Sequence, residues 1–254
     1  MTTIVIPMAG ASHRFFEAGF TQPKYMLPLW GETVFSHAIG SFRRYFNSHR
    51  FCFIVRQQLS AIEFVQSEAD RLGILTYDVV SLSHPTRGQA DTALLGLRQS
   101  ATAPEEPVTI FNIDTFRPGF RYPVLPDAHP DTCFLEAFLG GGDNCSFVEP
   151  IPGTDSVMRT AEKQRISDLC STGLYHFSEH RQFAAAVDAE ARLPSQALPE
   201  AYIAPVYNHL IKRGIDVRYV LIPSDEIVVC GTPDAYHELL GRVPPSPAVQ
   251  RGLA

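Results

Sequence analysis

An unbroken apolar run, Phe51-Cys52-Phe53-Ile54-Val55, is flanked by Arg50 and Arg56. A strand without polar alternation has both faces covered, which is the place of a central strand in a parallel sheet. Its neighbours in sequence repeat the theme. The residues before it, Thr33–Phe46, carry Val34, Phe35, Ala38, Ile39 and Phe42 at helical spacing. After it, Leu59–Leu72 reads as a helix closed by Gly73, then Ile74–Val80 as a strand. Gln89–Gln99 is a helix with Ala90, Ala93, Leu94 and Leu97 on one face, and Val108–Ile113 a further strand. Strands alternating with helices of this length imply βαβ units, with helices on both faces of a sheet.

The second half changes character. Thr132–Leu139, Ser146–Pro150, Val157–Thr160 and Asp168–Phe177 read as strands with few helices between them, and Gly140-Gly141-Gly142 as a flexible link. Glu179–Glu190 and Glu200–Arg213 read as helices, Asp216–Ile222 as a strand, and Pro233–Leu240 as a last short helix. The expected class is α/β: a Rossmann-like mixed, mainly parallel central sheet flanked by helices. We expect one domain over 1–242, with a nucleotide-binding half at about 1–130 and an acceptor-binding half at about 131–242. A Pro-containing tail at 243–254 follows.

Charge and cysteine usage narrow the function. The net charge of -6 argues against a nucleic-acid surface. It leaves room for a locally basic pocket, and lysine occurs only at Lys24, Lys163 and Lys212. The 5 cysteines include no C-x-x-C pair, which fits reduced thiols in the cytoplasm better than disulfides or zinc. No run approaches the roughly 20 apolar residues of a membrane span. The H-E-x-x-H, G-x-S-x-G and Walker A patterns do not occur.

The opening strand runs into Ala9-Gly10-Ala11-Ser12, followed by His13, Arg14 and, after Pro23, Lys24. Small residues let backbone amides approach a ligand, and two cations add full charge, so this loop suits a polyphosphate. An ordinary turn with surface cations has the same composition. Asp114 ends an apolar strand, the usual place for a ligand-binding acid in a parallel sheet, and one carboxylate suits Mg²⁺ beside phosphates. In Thr86-Arg87-Gly88-Gln89-Ala90, Gly88 admits close backbone approach and Gln89 offers both amide functions to a base edge. Asp91 reads as a residue that complements the helix dipole. Glu162-Lys163 is a solvated pair or a functional acid–base pair. Gly173, inside a strand, marks a close approach of ligand or backbone.

In this order, the segments resemble the sugar-nucleotide (nucleoside-triphosphate) transferases, the sugar-1-phosphate nucleotidylyltransferase family. The resemblance runs from Ile4 to about Leu240. Gly10-Ala11-Ser12-His13-Arg14 stands for the G-x-G-[ST]-R loop, Pro23-Lys24 for the P-K pair, and Thr86–Ala90 for the T-x-G-[QT]-A segment. Asp114, Glu162-Lys163, Gly173-Leu174-Tyr175 and Gly231-Thr232-Pro233 complete the set. The subtype looks like the short bacterial enzymes of capsule and surface-polysaccharide synthesis.

The resemblance implies a GT-A-like nucleotidyltransferase fold and a soluble cytoplasmic enzyme. It implies transfer of a nucleotidyl group from an NTP to a phosphorylated acceptor, with Mg²⁺ as cofactor. Arg14 and Lys24 would be catalytic, and Ala9, Gly10, Ala11, Ser12, His13, Thr86, Gly88 and Gln89 would bind nucleotide. Glu162, Lys163 and Gly173 would bind acceptor, and Asp114 the metal. A cytidylyltransferase acting on a non-sugar phosphate such as phosphocholine is the alternative, and a non-catalytic nucleotide-binding homologue a third reading. No nucleic-acid or membrane partner is expected, and a homo-oligomer is left open. The departures are Ser12 for the second glycine, His13 for the usual hydroxyl residue, and Val229 where a second metal-binding Asp often stands. Asp225 and Glu226 are the acids nearest that last position.

Overall fold

The computed structural model describes residues 1–142, 145–192 and 200–242, so the expected tail at 243–254 lies outside the described residues. The strands are β1 (Thr3–Pro7), β2 (Pro28–Leu29), β3 (Glu32–Thr33), β4 (Arg50–Arg56), β5 (Tyr77–Leu82), β6 (Val108–Phe111) and β7 (Thr115–Phe116). They continue with β8 (Cys133–Leu139), β9 (Ser146–Pro150), β10 (Val157–Glu162), β11 (Leu169–Phe177), β12 (Val217–Leu221) and β13 (Val228–Val229). The helices are α1 (His13–Glu17), α2 (Val34–Gly40), α3 (Leu59–Leu72), α4 (Gln89–Gln99), α5 (His180–Glu190), α6 (Tyr207–Lys212) and α7 (Pro233–Leu240).

A 9-stranded mixed sheet forms the centre, in the order β10-β9-β11-β6-β1-β4-β5, with β8 paired to β11 and β12. The first-half strands β5, β4, β1 and β6 run parallel. Strand β11 enters antiparallel beside β6 and carries the second half with it. Chain order reverses between β1 and β6, because β1 leads to β4 on one side while β6 lies on the other. The crevice beyond the carboxyl ends at such a reversal is where open α/β sheets bind ligands.

Alternation across the pleat builds two cores. Ile4, Ile6, Phe51, Phe53 and Val55 face α2 and α3, while Val5, Cys52 and Ile54 face α4 and the second-half helices. Each fully buried Phe contributes about 2–3 kcal/mol, so these strands are held chiefly by the helices that cover them. Helix α4 lies so close to β4 that a Cβ at Gly96 would fall 2.2 Å from the Ile54 side chain.

Several expected spans differ at their ends. Ile74 stays with the end of α3 through the hydrogen bond its amide donates to the Ala69 carbonyl (3.1 Å), so the next strand starts at Tyr77. The Thr33–Phe46 helix is α-helical only to Gly40, and Arg43–Tyr45 forms a 3₁₀ turn. The helix expected over Glu200–Arg213 is overturned at its start. Pro205 has no N–H to donate to the Ala201 carbonyl and so is tolerated only in a first helical turn, and the chain is non-helical until a 3₁₀ turn at Ala204–Val206 leads into α6. No helix among the described residues is long and apolar enough to cross a membrane.

Candidate active site

The loop after β1 is open at its glycine: a Cβ at Gly10 would meet nothing within 4 Å. Ser12 adopts the left-handed conformation (φ 50°) and starts α1. Phe15 is 1% exposed and packs against Phe20 and Tyr236, which turns the preceding His13 and Arg14 outward. Lys24 opens a 3₁₀ turn whose next residue, Tyr25, is buried. Its amide hydrogen-bonds the Ser12 hydroxyl at 3.4 Å, joining the two cation-bearing segments.

Asp114 leaves the sheet just beyond β6. Its carbonyl accepts from the Cys230 amide at 2.7 Å, and Val229 pairs with Thr115 in the β7–β13 ladder. Gly231 lies close against this acid: a Cβ there would stand 3.1 Å from Asp114 Oδ2. Lys24 Nζ donates to that same oxygen at 2.5 Å, across 90 residues of sequence, with both side chains about one-fifth exposed.

Glu162 closes β10. It is buried and accepts a hydrogen bond from the Ser146 hydroxyl. Burial pushes its carboxyl up from the ordinary value, against the opposing pull of that hydroxyl and of the Lys163 charge. Lys163 takes a left-handed backbone conformation (φ 56°), which costs a non-glycine residue about 1–2 kcal/mol. Its amide is satisfied by the Cys145 carbonyl at 2.9 Å, and its Nζ donates to the Tyr202 hydroxyl at 2.7 Å.

These segments enclose an open cleft of about 450 Å³, lined by Ser12, His13, Arg14, Phe15, Lys24, Asp114, Glu162, Lys163, Glu200, Tyr202 and Gly231. That size suits a small-molecule site. Among the described residues, Arg14 and Lys163 have no carboxylate within 4.0 Å, so their charge is available to an anion. The cleft thus brings together the sequence-predicted Ser12, His13, Arg14, Lys24, Asp114, Glu162 and Lys163.

Ala9, Gly10, Ala11, Thr86, Gly88, Gln89 and Gly173 do not line it. The room left by Gly88 is taken by the Ala201 backbone, whose nitrogen would lie 2.6 Å from a Cβ there. Gln89 donates its amide to Asn112 Oδ1. Gly173 (φ 89°) makes space for the Asn112 side chain, with Nδ2 2.3 Å from where a Cβ would stand. Gln89, Asn112 and Gly173 therefore form one packed cluster at the end of β6. Asp91 accepts from the Arg87 amide and guanidinium, both at 3.0 Å, and so ties down the loop as well as opening α4.

Glu200 and Tyr202 were missed by the sequence reading, which assigned them to a helix. Pro205 was the signal that argues otherwise. Glu226 pairs with Arg117 at 2.7 Å, and neither it nor Asp225 lines the cleft.

Among the described residues no group of three or more His, Cys, Asp or Glu side chains gathers into a metal cage. The Asp114 carboxylate nevertheless suits Mg²⁺. It is partly exposed in the cleft, and its hydrogen bonding to protein side chains among the described residues is limited to Lys24 at Oδ2. Mg²⁺ commonly takes one or two carboxylates and completes its shell with phosphate and water.

No protein-family model and no curated protein matches the chain. Among solved structures, the nucleoside-diphosphate-sugar pyrophosphorylase from Vibrio cholerae RC9 is similar to it, at 46% identity and a TM-score of 0.88. The match covers 94% of this chain and 100% of that one. The chain belongs to the sugar-nucleotide transferase family. It is accordingly a nucleotidyltransferase, of a family named in part for the reverse, pyrophosphate-consuming reaction. Two more distant members of the fold are the inositol-1-phosphate CTP transferase from T. maritima (14% identity, TM-score 0.71, 100% of this chain and 97% of that one) and UDP-glucose pyrophosphorylase (14%, 0.69, 94% and 97%). At that identity they show a shared nucleotidyltransferase architecture alone.

Proposed function

We propose that this sugar-nucleotide transferase joins an NTP to a sugar 1-phosphate, giving an NDP-sugar and pyrophosphate. The observation that carries the reading is the convergence of Arg14, Lys24, Asp114 and Lys163, from distant parts of the chain, on one cleft at the β1–β6 reversal. An acceptor phosphate oxygen forms a bond to the α-phosphorus, and the bond from that phosphorus to the α–β bridging oxygen breaks, so pyrophosphate leaves with the electron pair. A phosphomonoester is largely dianionic at neutral pH, so no side chain has to remove a proton. The task is to bring two anions together and to offset their charge.

Arg14, His13 and the Ala9–Ser12 amides hold the β- and γ-phosphates. Lys24, positioned by its bond to Asp114, offsets the charge that spreads onto the α-phosphate in the transition state. Lys163 takes the acceptor phosphate, and Glu162 accepts acceptor hydroxyls. Thr86, Gly88 and Gln89, which lie outside the cleft lining described above, are the proposed base side, with Gly173 supporting Gln89 through Asn112. Asp114 would hold Mg²⁺, which would supply further charge neutralisation at the phosphates.

We place the enzyme in the cytoplasm, consistent with its free cysteines. The role in surface-polysaccharide synthesis rests on the resemblance to short capsule-type enzymes. A second reading replaces the sugar with a cationic acceptor such as phosphocholine, because the acceptor side carries two carboxylates, Glu162 and Glu200, beside Tyr202. Pyrophosphate release from four NTPs, each tested against glucose 1-phosphate, phosphocholine and glycerol 3-phosphate, separates the readings. Turnover with the sugar phosphate supports the first. Turnover confined to phosphocholine replaces it with the second.

A further inference from the structure

A lysine as exposed as Lys163 samples many rotamers, and a ligand that captures it bears the ordering cost. Here the side chain is already held. Its Nζ lies 2.7 Å from the Tyr202 hydroxyl and 4.9 Å from the ring centre, so the phenol oxygen, not the ring face, makes the contact. The left-handed backbone at Lys163, pinned through its amide to Cys145, aims the chain from the other end.

Tyr202 is itself fixed by its neighbour. The Ala201 amide donates to the Arg87 carbonyl and the Ala90 amide to the Ala201 carbonyl, both at 2.8 Å. That pair of hydrogen bonds fits only because residue 88 has no side chain: a Cβ there would lie 2.6 Å from Ala201 N and 2.7 Å from its carbonyl oxygen. A glycine that the family pattern assigns to the nucleotide thus also seats the segment that holds the acceptor lysine.

We propose that Tyr202 is a positioning residue that keeps the Lys163 ammonium ready for the acceptor phosphate, and that the Gly88–Ala201 seat fixes Tyr202. The proposal rests on the reading of Lys163 as the acceptor-phosphate cation. An ammonium has three donors, so the bond to Tyr202 leaves two for phosphate.

The test uses the full chain and the acceptor with the highest kcat/KM in the panel above, with KM for NTP and acceptor measured separately in Tyr202→Phe, Lys163→Ala and the double variant. Loss of one hydrogen bond predicts that Tyr202→Phe raises acceptor KM about two- to tenfold. NTP KM and the melting temperature stay near the parent values. In the Lys163→Ala background, Tyr202→Phe adds nothing. A parental acceptor KM in Tyr202→Phe, beside a raised one in Lys163→Ala, overturns the proposal alone. So does an undiminished Tyr202→Phe effect in the double variant, which would mean that the phenol meets the acceptor itself. A parental acceptor KM in Lys163→Ala overturns the reading of the lysine and this proposal with it. Gly88→Ala is expected to raise acceptor KM as well as NTP KM; an effect on NTP KM alone removes the seat from the proposal.

Discussion

Replacing Lys24 with alanine separates a catalytic cation from a structural one. Lys24 contacts Asp114 at 2.5 Å, with both side chains partly open to water. With both partners about one-fifth exposed, the pair contributes on the order of 1 kcal/mol to stability. In a chain of this size that is a fall in Tm of about 2–4 °C. The effect on chemistry is larger, because the ammonium is asked to meet charge that develops only in the transition state. Loss of one such group costs about 3–4 kcal/mol, or 10²–10³ in kcat. Lys24→Ala should therefore melt close to the parent and turn over at least about a hundredfold more slowly in a pyrophosphate-release assay at saturating NTP and acceptor. Near-parental kcat would refute the assignment. A collapse in Tm with proportionate loss of activity would instead make the Lys24–Asp114 pair a structural strut.

Other expectations follow from the same geometry. Asp114→Asn should raise the half-saturating Mg²⁺ concentration by about tenfold or more, read from activity against total Mg²⁺; an unchanged Mg²⁺ dependence would move the metal elsewhere. Burial pushes the Glu68 carboxyl up, but the Arg71 hydrogen bond and the Ser36 and Thr33 hydroxyls outweigh it and bring the carboxyl down to about 2. A depressed carboxyl stabilises the fold above its ordinary value and loses that contribution as pH falls toward 2. Glu68→Gln should thus cost about 1 kcal/mol at pH 7, after allowance for solvent screening, and the difference in melting temperature should vanish in acid. Gly173→Ala combines a φ of 89° with a collision against Asn112, so a destabilisation of about 2 kcal/mol is expected in urea unfolding, together with a raised NTP KM through displaced Gln89.

Local chemistry in the sequence determined most of the elements. Arg50–Arg56, Leu59–Leu72, Gln89–Gln99 and Pro233–Leu240 have the bounds that apolar runs, helical spacing and end signals dictate. Gly73 closes α3 in the left-handed conformation, and Thr232 caps α7 through the Ala235 amide, both from residues within a turn of the helix end. That Ser12, His13, Arg14 and Asp114 belong to a cleft was legible for the same reason: each sits in a short segment whose residue types suggest a ligand. Tertiary structure decided what no segment contains. The meeting of Lys24 with Asp114 depends on β1 and β6 becoming neighbours, and strand adjacency is set by packing of the whole sheet. Glu200 and Tyr202 reach the cleft because Ala201 docks on the Arg87–Ala90 segment, a backbone contact between residues more than a hundred positions apart. The left-handed turn at Lys163 is unfavourable for a lysine taken alone and is met by tertiary bonds, its amide to the Cys145 carbonyl and its ammonium to the Tyr202 hydroxyl. Gly88 and Gly173 were visible as glycines. That their missing side chains make room for Ala201 and Asn112 is a fact of packing, fixed only when distant backbone arrives beside them.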